Sequence, residues 1–237
     1  MSIDTAPLER RWTREPRESL QRHDARKGRV VRAKPGPWWD EPDKVQWVDR
    51  ATGLDCLINR NQMGAWCGYV GLPPGHPWRG AGTYDQINAT VHGGLTYGPR
   101  PCDEEAPEGH GICHVPFPGR PADVAWLGFD CGHAFDLSPV MATLYDDEEL
   151  FPHPRASRAE WMREVYRDEA YVRREVEHLA AQAAEAATTR RRHGYVKHDR
   201  DERRRKTKEM VRLLNLPQRT ETEAALLAMM MWPREAR

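Results

Sequence analysis

Six short runs of apolar, β-branched and aromatic residues punctuate the first half of the chain, at residues 45–49, 55–59, 65–70, 90–95, 111–115 and 125–129. Their length, and the turn residues between them, predict strands. DRATG (49–53) separates the first two and predicts a hairpin turn. LPPGHPW (72–78) carries three prolines, which fix φ and remove donors, so it is a rigid loop rather than helix or central strand. CDEEAPEG (102–109) is an acidic loop. Beyond His133 the period lengthens. SRAE (157–160) is a capping box, and Trp161, Val165, Val172, Val176, Leu179 and Ala183 follow at helical spacing. That stripe predicts a helix over 158–187 lying on the sheet. A second helix over 199–215 is stopped by Pro217. TETE (220–223) opens a third over 224–232, closed by Pro233, with Met229 to Trp232 as packing surface.

The glycine distribution sharpens this division. Sixteen of the 18 glycines lie between Gly36 and Gly132, so tight turns belong to the strand-rich half and helices to the rest. The predicted fold is α+β: a mostly antiparallel sheet covered by one long amphipathic helix. Three regions follow, a basic N-terminal arm (1–36), an α+β core domain (37–187) and a basic helical extension (188–237). The formal net charge of zero conceals the pattern behind those names. Ten Lys/Arg lie between Arg10 and Lys34; from Pro35 to Arg155 seven bases face seventeen acids; from Thr188 to Arg212 eleven bases face four acids. Such runs suit basic arms folded onto the acidic body, a solvated helix surface, or a nucleic-acid partner, here through Arg190–Arg192 and Arg203–Lys206. No run approaches the roughly 18 apolar residues of a membrane helix, and no secretory h-region is visible. Five cysteines, an odd number, argue against a disulfide framework. The expected compartment is the cytosol of a host cell.

The chemistry concentrates where apolar runs end. In WLGFDCGHAFDLSP (126–139) a strand delivers Asp130, His133 and Asp136 at intervals of three. Carboxylate oxygens and an imidazole suit a divalent metal ion, or a base with an orienting carboxylate. The expected roles are Asp130 and His133 as metal ligands, Asp136 as the group orienting His133, and His92 as the proton-transfer residue. In VHGGLTYG (91–98), Gly93 and Gly94 allow close backbone approach to an anion, flanked by His92 and Thr96. His76, stiffened by Pro74 and Pro77, is expected on the rim as a ligand-binding residue. Cys102, Cys113, His114, Cys131 and His133 lie within about thirty residues, but no pair has the C-x₂-C spacing of a structural zinc knuckle. P-loop, dinucleotide, G-x-S-x-G and H-E-x-x-H signatures are absent.

Taken together, CGYVGLPPGHP, VHGGLTYG and GFDCGHAFDLSP resemble a group of uncharacterised proteins of tailed phages and prophages, notably of actinobacteria. The resemblance runs from about Trp47 to Leu179 and includes YRDEAYVRREVEHLA. That group often has glycine before the last aspartate, where this chain has Phe135. It implies a setting inside an infected or lysogenic cell and assigns no activity. Three functional classes stay open. One is a small-molecule site for an anionic, nucleotide-like ligand, with metal-assisted hydrolysis as its chemistry. Another is a non-catalytic binder that sequesters such a ligand in counter-defence. The third is a DNA- or virion-associated accessory protein.

Overall fold

The computed structural model describes residues 8–24, 28–101, 111–112, 114–146 and 164–189. Six strands form one sheet in the order β1-β4-β5-β6-β8-β7: β1 (Glu9–Trp12), β4 (Lys44–Val48), β5 (Asp55–Arg60), β6 (Trp66–Leu72), β8 (Ala125–Asp130) and β7 (Tyr97–Pro101). Every neighbouring pair is antiparallel. The remaining strands, β2 (Gln21–Asp24) and β3 (Arg29–Arg32), make a separate two-stranded ribbon. A short helix α1 (Pro139–Tyr145) follows β8, and the long helix α2 (Glu169–Thr189) covers the sheet. The architecture is the α+β class predicted. No described helix is long and apolar enough to cross a membrane.

Alternation within the strands explains the layers. Cys56 and Ile58 of β5, Val70 and Leu72 of β6, and Leu127 and Phe129 of β8 meet Val172, Val176, Leu179 and Ala183 of α2 in one buried cluster. Leu57, Cys67, Tyr69 and Trp126, the residues between them, face the other way in a second. A period of two thus builds a sheet buried on both faces. Gly68 marks the closest approach of α2. A Cβ there would lie 2.5 Å from Val176 Cγ2 and 2.7 Å from Phe129 Cζ, so only glycine lets the helix settle on the strand.

The central strands and the 49–53 hairpin match the sequence reading to within a residue or two. Asp49 organises that hairpin, accepting from the Thr52 N–H at 3.0 Å and its hydroxyl at 2.5 Å, while Gly53 supplies φ +71°. Four expectations are corrected. The N-terminal segment is woven into the fold: β1 pairs with β4, and fully buried Asp43 accepts from the Arg14 N–H and the Ser19 hydroxyl and pairs with Arg17. Residues 90–95 form a turn and extended loop, and the strand begins later, at Tyr97. The described part of 111–115 is turn and coil; Val115 exchanges both its backbone groups with the Gln46 carboxamide, at 2.8 and 3.0 Å. Helix α2 starts at Glu169, after Asp168, whose carboxylate accepts from the Tyr171 N–H at 2.7 Å as an N-cap. Val165, assigned to the helical stripe, instead bridges to Asp136. The capping box at 157–160, Trp161, the acidic loop, both predicted C-terminal helices and the basic runs at 190–192 and 203–206 lie outside the described residues. The chain divides into two units, 1–194 and 195–237, and the second lies wholly outside them.

Glu41 fastens the start of α2 to the sheet. One of its carboxylate oxygens accepts from Arg60 at 2.5 Å, from Trp66 Nε1 at 3.0 Å and from the Tyr166 hydroxyl. The other accepts from the Glu169 N–H, at 2.9 Å, in the first turn of α2. Removing that carboxylate strands the fully buried Arg60 side chain. Glu41→Ala is therefore expected to cost about 3 kcal/mol in urea unfolding followed by helical circular dichroism, the usual penalty for a buried pair that loses one partner. A loss below about 1 kcal/mol would show that the carbonyls around Arg60 suffice.

Candidate functional site

Strand β8 ends at Asp130, and the next six residues fold back to place Asp136 beside Val165. The Val165 N–H donates to Phe135 O at 2.8 Å and the Leu137 N–H to Val165 O at 2.9 Å. Phe135 takes φ +73°, the one described non-glycine residue in that region. Two residues beyond the bridge, Arg167 donates from Nε to Asp136 Oδ1 at 2.9 Å.

The other half of the site is the 90–94 loop, held on one face of α2. Gln182 exchanges two hydrogen bonds with the backbone of Thr90, each 2.8 Å, and Glu175 accepts from the His92 N–H at 2.8 Å. Tyr171, Glu175 and Gln182 are four and seven residues apart, hence on one side of the helix. This accounts for the missing strand: the loop's backbone groups are satisfied by helix side chains, so no neighbouring strand is needed.

Asp136 joins the two halves. Its side chain is almost wholly buried, and Oδ2 accepts from His92 Nε2 at 2.7 Å and from the His133 N–H at 3.2 Å. His133 Nδ1 stands 3.6 Å from the same oxygen. Burial pushes the carboxyl's pKa up. The hydrogen bonds from His133, His92 and Arg167 outweigh it and hold the group well below the usual carboxylate range. With Nε2 donating to Asp136, Nδ1 of His92 can accept from the Tyr171 hydroxyl at 3.0 Å. Tyr171 and Glu175 are thus positioning residues for His92. Burial, followed by Glu175, raises the Tyr171 pKa, so its phenol keeps its proton.

His133 is the exposed member. A third of its side chain is open, and its ring lies against Gly93. A Cβ on Gly93 would overlap that ring, and φ is +66° there. The Asp136 interaction raises the His133 pKa, opposed by burial and reinforced by the Asp130 charge.

Of the sequence-predicted residues, His92, Gly93, His133 and Asp136 converge. Asp130 stays outside the cluster and caps the turn, accepting from the Gly132 N–H at 2.9 Å; Asp136 is the carboxylate between the histidines. Gly94 forms the turn through its N–H to Val91 O at 3.0 Å, and Thr96 starts the approach to β7 through its N–H to Gly128 O. His76 is not a rim residue. It is buried, with Nε2 2.9 Å from Ala183 O, and Ala183 lies 12 positions along α2 from Tyr171, about 18 Å. Cys131 is a buried thiol with a pKa raised by desolvation, while His114 meets Trp126 edge-on at 5.2 Å on the opposite layer. No soft-ligand zinc set forms among the described residues.

Sequence reasoning missed Arg167, Tyr171 and Glu175. Their four-residue spacing beside the apolar stripe was the available signal. His92, His133 and Asp136 each present a ligand atom within 4.8 Å of the others, a grouping that can hold a metal ion. Comparison with protein-family models, curated proteins and solved structures gives no match.

Gly93→Ala is expected to cost about 1–2 kcal/mol from the left-handed backbone alone, and to displace the His133 imidazole, seen as shifted ring resonances in NMR. Unchanged resonances would exclude the close packing. In metal-free protein the pH dependence of stability follows from two shifts of opposite sign. His133, raised in the fold, contributes fully below its ordinary value of 6.5 and loses that contribution as pH climbs through the folded value. Asp136, lowered, contributes fully above its ordinary 3.8 and loses it only as pH falls through the depressed folded value. Both are present between 3.8 and 6.5. Urea midpoints for His133→Gln should therefore decline less than wild type as pH rises above 6.5.

Proposed function

We propose that the protein binds a small-molecule substrate at the His92–His133–Asp136 cluster and hydrolyses it with a divalent metal ion. The supporting observation is the convergence of two imidazoles and one carboxylate oxygen within 4.8 Å, from segments over 40 residues apart. Two histidines and a carboxylate suit zinc, or another first-row ion that keeps positions open for water and substrate. Asp136 replaces Asp130 as the carboxylate ligand of this reading. Arg167 engages Oδ1 and leaves Oδ2 toward the histidines. An ion held by His92, His133 and Asp136 would lower the pKa of its water and so supply a hydroxide for addition to the electrophilic centre, the leaving group departing with the bonding pair and a proton.

One observation favours a second reading, a binder without chemistry. Both ring nitrogens of His92 already have partners, so the network is complete without an ion. In the first reading His92 changes tautomer, its proton moving to Nδ1 where the Tyr171 oxygen can accept it, and protons compete with the ion at His133, whose pKa is raised by Asp136, so metal affinity rises with pH.

Titration calorimetry with Zn²⁺ and Mn²⁺ tests the choice. Wild type should take up one ion per chain, more tightly at pH 8 than at pH 6. His133→Ala and Asp136→Asn should each weaken binding by about 100-fold, with the remaining fold confirmed by circular dichroism. Absence of uptake, or uptake indifferent to both substitutions, would leave the binder.

A further inference from the structure

We propose that Arg167 is the receptor for a phosphoryl group, making the substrate class of this site small phosphate esters; the proposal rests on the metal reading above.

Arg167 spends one of its five N–H donors on Asp136, through Nε. Neither terminal nitrogen has a hydrogen bond among the described residues, and neither is sealed from solvent without a partner. The guanidinium carbon lies 4.9 Å from the centroid of the Tyr171 ring, which holds the plane by cation–π attraction and limits its rotation. The group is thus oriented, charged and unspent.

Three acids of this part of α2 are held by other groups. Glu175 holds the His92 N–H, Asp168 caps α2, and Glu169 pairs with Arg11. Arg174, exposed and 5.9 Å from the same ring, adds a second positive charge to this side of the helix.

Geometry narrows the anion. The two oxygens of Asp136 are shared, Oδ1 to Arg167 and Oδ2 to the histidine side where the ion would sit. One carboxylate then spaces a guanidinium and a metal ion on the order of 5 Å apart. A tetrahedral phosphoryl group can place one oxygen on the ion and another on the terminal N–H groups, with a third left over. A planar carboxylate spanning both cations would have no third oxygen and only one negative charge against them. Hydrolysis of such an ester adds water across one P–O bond. The hydroxide oxygen joins phosphorus, and the ester oxygen leaves with the bonding pair and is protonated to the alcohol.

The test uses the full chain with phenyl phosphate and, as the carboxylate control, benzoate, each titrated with and without Mn²⁺. Arg167→Lys keeps a cation beside Asp136 and loses the planar fork. It should bind Mn²⁺ within about threefold of wild type and lose at least tenfold in phenyl phosphate affinity. Phosphate affinity unchanged in Arg167→Lys, or benzoate bound as tightly as phenyl phosphate, overturns the receptor while leaving the metal reading intact. No Mn²⁺ or Zn²⁺ uptake by wild type overturns the metal reading instead. Arg167 is then judged on metal-free protein, where Arg167→Lys must still lose phenyl phosphate. If Arg167→Lys melts early, Tyr171→Leu takes its place, since it frees the guanidinium without removing it; undiminished phenyl phosphate binding there also overturns the receptor.

Discussion

A carboxylate almost fully withdrawn from water must be met by donors, and at Asp136 those donors come from three separate stretches of chain. His92 arrives on the loop before β7, the His133 N–H on the turn after β8, and Arg167 on the approach to α2. Losing any of them would leave part of a buried charge unmatched, a far larger cost than a surface contact incurs. The site is therefore a consequence of neutralising one anion. What makes it a candidate for chemistry is the surplus: among the described residues the two terminal nitrogens of Arg167 make no hydrogen bond once Asp136 is satisfied, and a third of the His133 side chain stays open.

Glu41 repeats the device on the neighbouring side of the fold. It gathers Arg60 and Trp66 from the sheet, and Tyr166 and the Glu169 N–H from the entry to α2. Between them, Glu41 and Asp136 fix where α2 begins and how residues 164–168 run. The apolar stripe of Val172, Val176, Leu179 and Ala183 then lays the helix across the sheet. Orientation comes from the polar anchors and affinity from the apolar face, because hydrophobic burial is large but not directional.

Two segments with strand-like composition show how a single side chain redirects backbone. Residues around Thr90 and Val115 each have both main-chain groups taken by one glutamine carboxamide, from Gln182 and Gln46. A primary amide carries one carbonyl and an NH₂ in the spacing a neighbouring strand would offer, so it caps the segment without extending the sheet. Freed from the sheet, the 90–94 loop can turn at Gly93 and bring His92 onto Asp136.

Local pattern was enough for the α+β class, the central strands, the 49–53 hairpin and the buried stripe of α2, since each rests on a period of 2 or 3.6 or on turn chemistry within a few residues. The clustering of His92, Gly93, His133 and Asp136 was foreseen from residue types that are costly to bury together. Which aspartate serves was not, because Asp130 and Asp136 look alike in sequence, and only the fold decides that one caps a turn while the other is buried among donors. The same holds for His76, whose proline-framed loop resembles a ligand rim but folds onto the Ala183 carbonyl. Arg167, Tyr171 and Glu175 read as an ordinary polar helix face until the loop docks against them. Periodicity is a property of neighbours along the chain, whereas charge compensation in a low-dielectric interior depends on groups more than 30 residues apart, and that pairing exists only once the chain has closed on itself.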